Sequence, residues 1–166
     1  MKNIIIGFST RNLLGSKLIR WLDNSKFSHV YIKWHSDTYD RDIIYQASGT
    51  AINFMSTKIF SKESSIIKEI SLTVEDIQFQ KCMQFCIDNA GVPFGFLEIL
   101  GMGYVKLLNK LGIKVLNPWR DGKKTYVCSE LIGTILEEDF QIKLGLNLEL
   151  DGPQELYNKL MELKSG

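Results

Sequence analysis

The apolar and polar positions in the first half of the chain follow the patterns of short β-strands. Strands are predicted at residues 3–8, 27–34, 43–48, 51–55 and 66–72. A short helix is predicted at residues 14–22, where four aliphatic side chains recur along one stripe. Gly49 lies in the turn of a predicted hairpin between the third and fourth strands. These short connections favour an antiparallel sheet.

Helical periodicity dominates the second half of the chain. Helices are predicted at residues 73–90, 94–111, 128–138 and from Pro153 onward, with a loop at residues 117–124. Thr73 and Asp76 predict a partial capping box at the start of the first of these helices. Residues 94–111 are the most apolar stretch, and we expect one or two helical pieces there that pack on the domain or form a flap. Because strands precede helices, residues 1–166 predict a single α+β domain, with a mostly antiparallel sheet packed against helices.

The composition is that of an ordinary globular chain. Of the 166 residues, 45% are hydrophobic and 23% are charged, which is enough for a core and argues against disorder. The net charge of +1, with scattered basic residues, gives no reason to expect nucleic acid as a partner. No apolar run is long enough to span a bilayer, and the first residues are predicted to form a strand, not a signal peptide. We therefore expect a cytoplasmic protein, or one released on lysis or carried in a virion if a phage encodes it.

The three cysteines are expected to be free thiols, because an odd number argues against a disulfide framework. Cys82 and Cys86 lie four residues apart on a predicted helix with no other metal-ligating cysteine or histidine close in sequence. We predict that both are buried and that no metal is bound. Cys128 differs because it lies at a predicted helix start. Unpaired backbone N–H groups and the helix dipole lower the pKa of a thiol placed there.

A thiolate nucleophile requires a base, and the chain has two histidines, His29 and His35. His29 lies within a predicted strand and could take the thiol proton of Cys128 if it faces that helix. Gln46, on the next strand, could accept a hydrogen bond from the other ring nitrogen and orient the imidazole. The backbone N–H of Cys128 could stabilise an oxyanion. His35 follows at the strand end and is predicted to lie on the surface. Each of these residues also has a purely structural explanation, and the sequence pattern alone does not decide between a catalytic and a structural role.

Three aromatic residues are candidates for substrate contacts. Tyr31 lies two residues beyond His29 on the same side of its strand, and Tyr126 precedes Cys128 by two residues. Trp119 lies in the predicted loop that leads to Cys128. The alternatives are a core position for Tyr31 and a solvated turn for Trp119.

Three motifs together resemble those of a known family. They are Phe27-Ser28-His29-Val30-Tyr31-Ile32, Ile44-Tyr45-Gln46-Ala47-Ser48-Gly49 and Tyr126-Val127-Cys128-Ser129-Glu130-Leu131. They resemble the circularly permuted papain-like cysteine hydrolases of the NlpC-type superfamily, which include YiiX-like proteins and many phage and bacterial members. In that branch a strand histidine comes first, a polar residue follows on the next strand, and the cysteine comes late, at a helix start. The order of His29, Gln46 and Cys128 is the same.

The resemblance implies a permuted papain-like fold and a cysteine hydrolase that acts as an amidase or peptidase. Its substrate would be a peptide-like or acyl compound, such as a peptidoglycan stem peptide, and the reaction would proceed through a thioester on Cys128 without a cofactor. The third position is frequently Glu in this group, whereas this chain has Gln46, which leaves room for slower turnover. Two alternatives stay open: lipid acyl chemistry at a membrane, as in the related lecithin retinol acyltransferase group, and a non-catalytic binding module. The sequence does not indicate an oligomeric state.

Overall fold

One antiparallel sheet of five strands, in the order β4-β3-β2-β1-β5, forms the centre of the protein. The strands are β1 (Lys2–Thr10), β2 (His29–Ser36), β3 (Arg41–Ser48), β4 (Ala51–Ser56) and β5 (Ser65–Val74). The structure, a computed structural model, describes residues 1–12, 14–22, 24–116, 118 and 125–165. It confirms the α+β class and the antiparallel sheet, and Gly49 has the positive φ of 72° that the β3–β4 turn requires.

Helices account for most of the second half of the chain. They are α1 (Leu14–Leu22), α2 (Thr57–Glu63), α3 (Asp76–Asn89), α4 (Phe96–Lys110), α5 (Cys128–Thr134) and α6 (Pro153–Ser165). A π-helical turn, Ile135–Asp139, continues α5. Residues 94–111 thus contribute one helix. Of the predicted loop at residues 117–124, only Pro118 lies within the described residues.

One helix was missed, and the start predicted for another is wrong. Helix α2 was not expected, because Phe60 is its single buried residue and one apolar side chain gives no periodic signal. Thr73 is not a helix cap but part of β5. Helix α3 instead begins after Glu75, whose backbone N–H donates to Oε1 of Gln78 at 2.9 Å. Glu75 and Gln78 complete the capping box.

The two faces of the sheet belong to different apolar clusters because neighbouring side chains on a strand point in opposite directions. Val30, Ile32 and Ala47 face the main core, which α5 completes with buried aliphatic side chains. On the other face Tyr31 and Ile44 form a small cluster with Phe60 of α2 and the partly buried Met55. Cys82 and Cys86 lie fully buried in the main core as free thiols, as predicted.

Candidate active site

A cleft of about 280 Å³ lies at the end of the sheet where β1 and β3 end and β2 begins. Its walls come from these strand ends, from α1, from α4 and the segment before it, and from the first residue of α5. The lining residues are Arg11, Ser16, Ile19, Ser28, His29, Ala47, Ser48, Gly49, Phe94, Ile99 and Cys128. Two of the three predicted catalytic residues, His29 and Cys128, therefore line one cleft.

Cys128 is the first residue of α5, as the sequence predicted. The preceding segment is held by a short bridge in which the backbone N–H of Gly95 donates to the carbonyl of Tyr126 at 3.0 Å. Helix α5 packs against β2 and β3 through Leu131 and Ile132, which are fully buried. Cys128 is not joined in a disulfide with another described cysteine, and 5% of its surface is exposed. Its surroundings are thus partly core and partly cleft.

His29 is the first residue of β2 and is hydrogen-bonded to Gln46 of β3. Nε2 of His29 lies 2.7 Å from Oε1 of Gln46. Gln46 is fully buried, so its orientation depends on neighbouring side chains. Its amide nitrogen lies 3.4 Å from Oδ1 of Asn53, and Asn53 in turn donates to the backbone carbonyls of Ser48 and Ala51 at 3.2 and 2.9 Å.

This chain of hydrogen bonds assigns the tautomer of His29. Because both donors of Asn53 are used by carbonyls of the hairpin, its oxygen must accept from the amide nitrogen of Gln46. The oxygen of Gln46 then accepts from His29, so we place the ring proton on Nε2. Nδ1 carries the lone pair and makes no hydrogen bond to any described residue. It is the ring nitrogen that can act as a base.

His29 and Cys128 approach the cleft from different faces of the sheet. His29 shares a face with Tyr31 and Gln46, and its ring centroid lies 6.3 Å from that of Phe60 in α2. Cys128 belongs to the main core on the opposite face. The two side chains line a common space because the cleft opens at the strand ends, where both faces are accessible. Proton transfer between them stays a prediction.

Burial lowers the pKa of His29 to about 4. The hydrogen bond that His29 donates to Gln46 acts in the opposite direction and raises this pKa, while the positive charge of Arg11 lowers it. The imidazole is therefore neutral at pH 7. A neutral ring with a lone pair on Nδ1 suits a general base, and it disfavours a resting thiolate–imidazolium pair.

Sequence reasoning missed two polar features of the cleft wall. Arg11 follows β1, and its Nε donates to Oγ of Ser64 at 2.8 Å. The hydroxyls of Ser16 and Ser28 are hydrogen-bonded to each other, and Ser16 also accepts from the backbone N–H of Arg11 at 3.1 Å. Both features join residues from different segments of the chain, so no periodic pattern in the sequence predicts them.

Of the three aromatic residues predicted to contact substrate, the two described tyrosines do not line the cleft. Tyr31 has no exposed surface, and its hydroxyl donates to Oε1 of Glu69 at 2.9 Å, so a substrate in the cleft would meet it only after neighbouring side chains moved. Tyr126 is half-buried against Phe85, and its backbone positions Cys128. Trp119 lies outside the described residues. Substrate contact by these three stays untested.

His35 lies on the surface, as expected, with about half of its side chain exposed. Its Nδ1 is 3.1 Å from Oδ1 of Asp42 and its Nε2 is 3.6 Å from Oδ1 of Asp40. It does not line the cleft. His29 is thus the histidine of the two that lines the same cleft as Cys128.

Comparison with known proteins gives a likeness in fold. No protein-family model and no curated protein matches the chain. Among solved structures it is similar to YiiX, a DUF1105 metalloprotein from Escherichia coli O157:H7, with a TM-score of 0.51 and 18% identity over 95% of this chain and 92% of that one. The chain therefore has a YiiX-like fold. Within the described residues, no group of three or more His, Cys, Asp or Glu side chains is placed to hold a metal ion.

Proposed function

We propose that this protein is a permuted papain-like cysteine hydrolase that cleaves amide or peptide-like bonds. The observation that carries the proposal is the cleft at the strand ends, which is lined by both Cys128 and His29. The hydrogen bond between His29 and Gln46 supports it. This bond fixes the orientation of the imidazole through Nε2 and leaves Nδ1 available to act as the base. The YiiX-like fold is compatible with this assignment.

The reaction begins when Nδ1 of His29 accepts the thiol proton of Cys128 and the sulfur attacks the scissile carbonyl. The oxyanion is stabilised by backbone N–H groups at the start of α5. The imidazolium then donates its proton to the leaving amine, which leaves a thioester on Cys128. Water attacks this thioester with His29 again acting as base, and the free enzyme is restored. Because burial holds the pKa of His29 at about 4, the proton is taken up during the reaction and not in the resting enzyme.

The reactivity of Cys128 tests this proposal directly. We expect iodoacetamide to alkylate Cys128 at neutral pH much faster than Cys82 and Cys86, which are fully buried and serve as internal controls. His29→Gln should slow this alkylation, whereas His35→Gln should not. Activated peptide-like esters should leave an acyl group on Cys128 that intact-mass spectrometry detects and that Cys128→Ser abolishes. A Cys128 that is inert to both classes of reagent would refute the enzymatic assignment.

A second candidate function, lipid acyl chemistry, is favoured by the outer face of α4. Leu97, Tyr104, Leu107 and Leu111 recur at helical spacing, the last just beyond the end of α4, and each exposes between 43% and 68% of its surface. None of the helices within the described residues is long and apolar enough to cross a bilayer, so this face would lie on a membrane surface. The opposite face of α4 contributes Ile99 to the cleft.

Vesicle binding separates the two candidates. If α4 docks on lipid, the protein should co-float with phosphatidylcholine–phosphatidylglycerol vesicles, and Leu107→Glu should abolish flotation. Ile87→Glu on α3 is the matched control, because Ile87 is a similarly exposed aliphatic side chain on another helix. Absence of flotation, together with cleavage of soluble peptide-like substrates, would leave the amidase assignment alone.

A further inference from the structure

We propose that Arg11 binds an anionic group of the substrate, so that the preferred substrate carries a carboxylate close to the scissile carbonyl. The inference rests on the proposed function and deepens it by naming a substrate class and a specificity-determining residue.

The charge distribution of the cleft is the first argument. Arg11 is the one Lys, Arg, Asp or Glu among the residues that line it in the described part of the chain. His29 is neutral at pH 7, because burial lowers its pKa to about 4. Among the described residues, the wall that holds the predicted nucleophile and base therefore bears one formal positive charge, which the ion pair with Glu63 offsets in part. A carboxylate entering this space gains a favourable interaction, and an ammonium group does not.

The hydrogen bonding of the guanidinium is the second argument. A guanidinium has five N–H donors in a planar fork that matches a carboxylate. Nε of Arg11 donates to Oγ of Ser64 at 2.8 Å. Nη2 forms an ion pair with Oε2 of Glu63 at 3.3 Å, and this buried nitrogen makes no hydrogen bond. Glu63 is half-exposed, so water screens its carboxylate. Arg11 is thus held in place with donors still to be used.

The position of Arg11 links anion binding to the chemistry. Its positive charge opposes protonation of His29 and lowers the pKa of that imidazole. A substrate carboxylate on Arg11 would offset this charge and ease the uptake of the thiol proton by His29. The alternative is that Arg11 only ties the end of β1 to the end of α2. In that case its replacement lowers stability without changing selectivity.

Two alkylating agents of nearly equal size distinguish these cases without a known substrate. Iodoacetate carries a carboxylate, whereas iodoacetamide is neutral. The test is the ratio of the rate constants for alkylation of Cys128 by iodoacetate and by iodoacetamide, compared between the wild type, Arg11→Gln and Arg41→Gln. Arg41 lies exposed on β3, so Arg41→Gln removes the same charge at a position outside the cleft.

We expect the ratio to fall by about three- to tenfold in Arg11→Gln and to stay unchanged in Arg41→Gln. Added salt should lower the ratio in the wild type, which gives a readout even if Arg11→Gln does not fold. Glu63→Gln should raise the ratio. Equal ratios in the wild type and Arg11→Gln, or a wild-type ratio insensitive to salt, would overturn the inference while leaving a reactive Cys128 and the proposed function intact. Failure of both reagents to alkylate Cys128 would instead refute the proposed function, and this inference with it.

Discussion

Acid should destabilise the folded protein through His29. The ordinary pKa of a histidine is 6.5, and burial holds that of His29 at about 4 in the folded state. Between these two values the unfolded chain binds a proton at this residue and the folded chain does not. The free energy of unfolding therefore rises with pH across this window, and the contribution is lost as pH falls from about 6.5 to about 4.

The magnitude follows from the difference of about 2.5 pH units between the two pKa values. At 1.36 kcal/mol per unit, His29 contributes roughly 3 kcal/mol at pH 7 that is absent below pH 4. Total stabilities of small domains are of order 5–15 kcal/mol, so the effect is a substantial part of the whole.

Urea unfolding at about pH 7, about pH 5.5 and about pH 4.5 measures this contribution. We compare the wild type with His29→Gln, which cannot gain a proton, and with His35→Gln, which removes the exposed histidine. His29→Gln should flatten the pH dependence by most of the roughly 3 kcal/mol, whatever its effect on stability at neutral pH. His35→Gln should leave the wild-type slope nearly unchanged. Equal slopes in the wild type and His29→Gln would show that His29 takes a proton as easily in the folded state, and the argument for a neutral base would fail.

The remaining predictions concern the residues around His29. Gln46→Glu should raise the pKa of His29 by about 1–3 units, because a carboxylate stabilises the imidazolium; an unchanged ring titration by NMR would contradict this. Asn53→Ala should loosen the amide of Gln46, and ¹⁵N shifts should then report a mixture of ring tautomers where the wild type shows one. Gly7→Ala should cost about 1–3 kcal/mol or more of unfolding free energy, because a Cβ there would clash with the ring of the fully buried Tyr31. Unchanged urea unfolding would contradict that packing.

The strand pattern and much of the site could be predicted because they depend on local periodicity. Residues on neighbouring strands that share a face are brought together once the hairpin register is set, and this places His29 beside Gln46. The helix start at Cys128 follows from a change of pattern in a few residues. The three motifs that contain these residues, together with their order along the chain, suggest the family resemblance.

The rest depends on contacts between distant segments. Helix α2 is stabilised by the packing of Phe60 against Tyr31 of the sheet, with ring centroids 4.6 Å apart. The seven residues of the helix show no apolar periodicity that would predict it. The position of Arg11 in the cleft depends on Ser64, which is 53 residues away in the chain. Tyr31 lies on the same face of β2 as His29, as predicted. Helix α2 covers Tyr31, however, and the sequence pattern does not predict that contact.

The same contacts explain why a glutamine suits position 46. The residue is fully buried, and its amide must donate to Asn53 as well as accept from His29. A glutamate would accept at both ends and would set its carboxylate against the oxygen of Asn53. Turning Asn53 to relieve this would sacrifice its bonds to the carbonyls of Ser48 and Ala51. An amide avoids both this repulsion and the cost of burying a charge, but it stabilises an imidazolium less than a carboxylate does. The β3–β4 turn, the glutamine and the neutral imidazole are therefore parts of one arrangement, in which the backbone of a hairpin determines which nitrogen of His29 is available as a base.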